Sequence, residues 1–189
     1  MPVSISGTDG ITSPTITTTG VIVSGTTVAD ATAVIRPLVS ATSVASTSGT
    51  SIDFTSIPSW VKRVTVIFNE VSTNGTSAIQ VQLGDSGGVE NSGYLSTKIE
   101  LSTAANNSAI TSGHSVVGGA AANVASGILV FVLVSGNIWI GTSSVKQSTT
   151  FMSIGNSSKT LSETLDRVRI TTVNGTDTFD AGSINILYE

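Results

Sequence analysis

No cysteine occurs anywhere in the 189 residues, so disulfides, thiolate catalysis and cysteine-ligated zinc are excluded. Charge is also scarce: charged residues make up 11% of the chain, where about 25% is usual for soluble proteins. The formal net charge is -4 and no basic run exists. Arg63, Arg167 and Arg169 are scattered and have no aromatic platforms around them. That argues against nucleic-acid binding, whose affinity depends largely on neutralising phosphates. Polybasic membrane attachment is disfavoured for the same reason. Long hydrophobic runs are missing as well. The most apolar stretch, residues 127–140, is broken by Ser135-Gly136-Asn137, whereas a membrane-spanning helix needs about 20 apolar residues. The opening "MPVSISGTDG" has neither a positive n-region nor an apolar h-region, so no secretory signal and no export are expected.

What is present is serine, threonine, asparagine, glycine and valine, with a mean hydropathy of +0.34. This suits β-structure with many turns. Residues 1–42 break into short alternating pieces separated by Gly7, Gly10, Pro14, Gly20 and Gly25, none able to bury a core alone. They read as an N-terminal attachment arm with short strands. "VADATAV" at 28–34 offers one helical turn, and Arg36-Pro37 reads as a boundary.

Residues 43–189 read as one β-sandwich domain. Strands are expected near 43–47, 50–54, 61–71, 78–83, 94–101, 109–117, 127–134, 137–142, 149–154, 158–163, 167–173 and 183–188. Val64, Val66 and Phe68 share one face; Ile79, Val81 and Leu83 share another, with Gln80 and Gln82 opposite; Ile184, Ile186 and Tyr188 point together. Asn74-Gly75 and Asn174-Gly175 are turn signals. Many short strands with turns between them and no helical periodicity indicate an all-β, antiparallel, jelly-roll-like sandwich.

The stretch "GILVFVLVSGNIWI" at 127–140 is apolar on both faces. As a hairpin with a Ser135-Gly136 loop, it pairs Leu133 with Ile138, Val132 with Trp139 and Phe131 with Ile140. One face then carries Leu129, Phe131, Leu133, Ile138 and Ile140; the other carries Ile128, Val130, Val132, Val134 and Trp139. A three-residue loop shifts the pairing and still leaves both faces apolar. Each large apolar side chain contributes roughly 1.5–3 kcal/mol on burial, so the second face needs a cover. A subunit interface, the arm and a long loop all remain open as that cover.

Few residues suggest chemistry. "GDSGG" at 84–88 resembles the nucleophile segment of trypsin-like proteases, with Ser86 in the nucleophile's place. The only histidine, His114, follows the serine instead of preceding it, and Val89 replaces the usual proline. A glycine-rich turn is the better reading. Asp85 with Glu90, and Asp177 with Asp180, form possible ligand loops for a sugar or a calcium ion, though no dense calcium loop exists. Trp60 reads as a plug at the sandwich end, with a platform for a sugar ring as the alternative, and Trp139 as an interface anchor or a sugar-stacking residue. Four Asn-x-Ser/Thr triplets, beginning at Asn74, Asn106, Asn156 and Asn174, are expected by chance in this composition. No catalytic group, metal or cofactor is expected.

Two blocks, "SIDFTSIPSWVKRVTVIFNEVSTNGTSAIQVQLGDSGGVENSGY" (51–94) and "LDRVRITTVNGTDTFDAGSINILYE" (165–189), resemble a domain of tail-fibre-like and other virion proteins of tailed bacteriophages. "SISGTDGITSPTITTTG" resembles the start of phage fibre proteins. The resemblance implies a β-sandwich carried on phage particles, commonly as a trimer, with no catalytic residues. The short arm points to a head decoration or cement protein, or a small tail component, more than to a long fibre. Its partners would be sister copies, other virion proteins and a host-surface glycan. It would be made in the bacterial host cytoplasm and carried on the virion. The alternative is a free carbohydrate-binding β-sandwich module.

Overall fold

The computed structural model describes residues 20–23, 26–30, 37–101, 106–149 and 151–189. The chain divides into two compact units, 1–37 and 38–189. In the first, β1 (Gly20–Val23) and β2 (Thr26–Asp30) form an antiparallel hairpin with an irregularity after Val21. Residues 28–30, expected in a helical turn, are therefore strand, and 31–34 lie outside the described residues.

The second unit holds β3 (Val39–Ser40), β4 (Val44–Ala45), β5 (Ser51–Phe54), β6 (Arg63–Thr73), β7 (Ile79–Asp85), β8 (Gly88–Val89) and β9 (Leu95–Leu101). It continues with β10 (Asn106–Ile110), β11 (His114–Val117), β12 (Ala125–Ser135), β13 (Ile138–Lys146), β14 (Met152–Thr160), β15 (Arg167–Thr172) and β16 (Phe179–Tyr188). The larger sheet runs β10-β9-β14-β13-β12-β6-β16-β3, with β4 also on β16; the smaller runs β11-β7-β15-β5, with β8 on β7. Every pairing is antiparallel, and no helix occurs among the described residues. The architecture is an all-β sandwich.

Period-two alternation builds the apolar half of the core. Val64, Val66 and Phe68 of β6, Leu129 and Phe131 of β12, and Ile184 and Ile186 of β16 project from the large sheet. Ile52 and Phe54, Val81 and Leu83, and Val168 and Ile170 meet them from the small sheet. Trp60 packs on this core at a ring distance of 6.1 Å from Tyr188, as its plug role requires.

Several strand ends move, β13 running on to Lys146 and β16 beginning at Phe179, and two expected strand assignments change in kind. The stretch 109–117 is two strands, because Thr111-Ser112-Gly113 turns the chain from the large sheet to the small one. Conversely, 149–154 and 158–163 are not separate strands, since β14 runs unbroken through Gly155. That glycine serves close packing, not a turn: a Cβ there would lie 2.9 Å from the Ser115 carbonyl oxygen of β11.

Candidate functional site

The apolar hairpin closes differently from the expected pairing. Ser135 pairs with Ile138 across Gly136-Asn137, with φ at Gly136 of +53°, and an irregularity absorbs Val134. Leu133 then faces Trp139, Val132 faces Ile140 and Phe131 faces Gly141. A one-residue shift exchanges the faces of a strand. Trp139, expected on the outer face, is 2% exposed in the core; Ile138 and Ile140, expected with Phe131, point outward. Trp139 is therefore neither an accessible anchor nor a stacking platform. Ile128, Val132 and Val134 (61% exposed) do project from the outer face, and Val130 between them is half-buried.

The neighbouring strands extend that face. β13 and β14 alternate strictly between exposed and covered positions, and β9 alternates in the same way. Their outward set mixes large apolar side chains, Ile138 and Ile140, Met152 and Ile154, then Leu95 (76% exposed), Ile99 and Leu101, with uncharged polar ones, Thr142, Ser144, Asn156, Ser158, Thr160 and Thr97, and one charge at the strand end, Lys146. Apart from Trp139 and Val145, their inward set is small or polar: Gly141 and Ser143, Ser153, Gly155 and Ser157, Ser96. Two lysines join it, Lys98 at 4% exposure and Lys159 at 7%, paired with Glu100 and Glu90. Lys159 Nζ also sits 5.4 Å from the Tyr94 ring centroid. Across these three strands, amphipathicity is inverted relative to a sheet with one wet face.

β11 explains the polar interior. Its His114 is fully buried between the sheets, with Nδ1 2.7 Å from Ser157 Oγ and Nε2 2.9 Å from Ser143 Oγ. Phe131 meets the ring edge-on at 5.7 Å. Gly141 and Gly155 leave the space the ring occupies. Burial pushes the His114 pKa down to about 3, so the imidazole is neutral near pH 7. With both nitrogens committed to hydroxyls inside the sandwich, His114 is a structural bridge between the two sheets.

"GDSGG" is the β7–β8 turn, with Asp85 paired to Gly88 and Asp85 Oδ1 accepting from Gly87 N at 2.8 Å. Ser86 Oγ donates to the exposed Glu163 carboxylate at 3.2 Å. Asp85 Oδ2 accepts from Ser162 Oγ at 2.6 Å and Glu163 N at 3.1 Å, and Glu90 Oε1 accepts from the same hydroxyl at 2.9 Å. The Ser162 bond, against the opposing effect of burial, holds Asp85 below the usual carboxylate range. For Glu90, burial raises the pKa, but the bonds from Lys159 and Ser162 outweigh it and the net shift is downward. These carboxylates clip the β7–β8 turn to the β14–β15 loop.

Asp177 and Asp180 serve another turn. Asp177 accepts from Asn174 Nδ2 at 2.6 Å and Ser77 N at 2.8 Å; Asp180 accepts from Ser72 Oγ. Ser77 adjoins the start of β7 whereas Asp85 ends it, a separation of roughly 20 Å along a strand rising about 3.4 Å per residue. The two acidic pairs thus lie at opposite ends of the sandwich, Asp180 on β16 of the large sheet, and form no common ligand loop. Among the described residues, no group of three metal-ligating side chains is close enough to hold an ion.

The small sheet's outer face carries a polar groove of about 320 Å³ over Gln80, Gln82, Thr171 and Arg169. Gln80 Oε1 accepts from Ser112 Oγ at 2.7 Å, and Gln82 Nε2 donates to Ser112 O at 2.9 Å. Arg169 is held by Asp53 through two bonds of 2.7 Å. The two outer surfaces of the sandwich therefore differ in kind: one is apolar and nearly uncharged, the other hydrogen-bonding.

Comparison with known proteins yields no matching family model, no matching curated protein and no matching solved structure.

Proposed function

We propose that this chain is a structural, non-enzymatic surface component of a tailed-bacteriophage particle, engaging a neighbour through the outer face of its large sheet. The observation that carries this reading is the apolar outer face of β12, β13, β14 and β9 set over a polar interior. An exposed apolar patch of this extent marks an interaction surface, which supports docking as the role of the face. The resemblance of residues 51–94 and 165–189 to phage virion domains supports the particle as the setting. A compact sandwich favours a head decoration or small tail component over a long fibre. Engagement of both ring nitrogens of His114 by buried serines favours a non-catalytic role.

Mass spectrometry of density-purified particles, with gold-labelled antibody to locate the protein, tests the reading. The expected result is a regular array on head or tail. A chain that never copurifies with particles overturns it.

The polar groove favours a second reading, the carbohydrate-binding module. Gln82 is only 6% exposed at the floor of this groove, and its Oε1 accepts no hydrogen bond among the described residues, which leaves an acceptor for a sugar hydroxyl. A glycan array of wild type and Gln82→Ala tests this: binding lost in the variant supports a sugar site, and an array with no signal removes it.

A further inference from the structure

The cover of the large sheet's outer face can be identified from its charge, its area and the chemistry of the surface opposite. Register lines Ile67, Ile128, Ser144, Ile154 and Ile99 across five strands in one row. A second row holds Arg63 at its edge, then Val132, Ile140, Ser158 and Leu95. Leu101 and Met152 continue the face towards Lys146. The exposed charged residues on these strands lie at its margins: Arg63 and Lys146 at strand ends and Glu70 at the irregular part of β6. Arg63 is already paired with Glu189. A face with an uncharged centre offers nothing to an acidic or basic partner and selects another uncharged apolar surface.

We propose that this surface is the same face of a second copy of the chain, packed sheet against sheet; the inference rests on the docking role given above. Front-to-back stacking is disfavoured, because the small sheet's outer face would present the partly exposed Arg169–Asp53 ion pair to isoleucines. Pairing the apolar face with itself leaves no polar group facing an aliphatic one without choice of register. Between the aliphatic rows runs a third row of Thr65, Val130, Thr142, Asn156 and Thr97, whose polar groups meet one another when the face pairs with itself.

Size agrees. Five strands about 4.8 Å apart and nine residues rising about 3.4 Å each give a footprint of roughly 700 Å² per copy, close to the roughly 800 Å² per partner of a stable interface. Two twisted sheets also pack face to face without distortion, about 10 Å apart with strands within about 30°. In such an assembly, the isoleucines and valines of β12, β13, β14 and β9 become a second core. The inverted strands are then covered on both sides, with polar bridges within the subunit and aliphatic packing between subunits.

Light scattering on the full chain reads the outcome directly. The expected mass is two chains, falling to one in Ile128→Asp/Ile154→Asp, and a three-chain mass overturns face-to-face pairing. Both side chains are exposed in the single chain, so folding survives, checked by circular dichroism. Because the protein has no cysteine, a single Thr142→Cys gives an independent reading. At the centre of the face it is shielded from maleimide in the assembled protein and labelled in the aspartate background, while Thr176→Cys on an exposed turn labels in both. A one-chain mass at every concentration, or an oligomer that survives both aspartates, overturns the proposal. A monomer that still binds particles defeats self-pairing and leaves the particle reading standing; an oligomer absent from particles does the reverse.

Discussion

His114 on β11 and Ser157 on β14 meet at 2.7 Å inside the sandwich, tying the small sheet to the large one through the chain's single histidine. The contact is made by a neutral ring, since burial lowers the folded pKa to about 3.

A pH dependence follows. The unfolded chain takes up a proton near pH 6.5, and the folded chain does not until about pH 3. Stability is therefore fully present above about 6.5 and is lost as pH falls between those values. Between pH 7 and pH 5 the loss is about 2 kcal/mol. Urea titrations at the two pH values measure it. His114→Gln should be less stable at pH 7 and lack most of that slope.

Trp139 supports the fold and does not reach the outer face. Trp139→Ala should cost about 3–5 kcal/mol, as for other large buried aromatics. Thermal melts should show the loss, whereas Ile140→Asp on the adjacent outward position should change mass in solution far more than melting of the single chain.

Asp85 holds the clip between two loops. Asp85→Ala leaves Gly87 N and Glu163 N without their acceptor and Ser162 Oγ with Glu90 alone, and should cost about 1–3 kcal/mol. Ser86→Ala, one residue on, loses one exposed bond and should stay within about 0.5 kcal/mol of wild type. Denaturant midpoints of the two variants check the contrast; equal losses would contradict the assignment.

Gly141 is required by close approach. A Cβ there would lie 2.6 Å from the Phe131 ring and 2.9 Å from His114 Nδ1. Gly141→Ala should destabilise by about 1–3 kcal/mol, the usual cost of overpacking. A melting curve suffices to measure it.

Much of this architecture is legible in the sequence. Alternation in β6, β7 and β16 gives the right inward sets, because their inward residues are apolar and nothing competes. Which side of β13 and β14 faces inward is not legible from hydropathy, because their more apolar side is the outer one. The signal that could reveal it is steric: Gly141, Ser143, Gly155 and Ser157 together leave room for a ring from another strand. The irregularity at Val134 also decides the hairpin register, and it depends on backbone geometry that residue types do not announce. The clip joins residues 77 positions apart, beyond any local pattern.

The sequestered lysines make the sandwich a reporter of its own integrity. Of the four lysine side chains, Lys98 and Lys159 lie inside, while Lys62 and Lys146 are open to reagents in the single chain. Mild acetylation should therefore mark two lysine positions on intact single chains and four on opened ones. Where copies meet across the apolar sheet, Lys146 at its rim should react more slowly, leaving Lys62 as the fastest target.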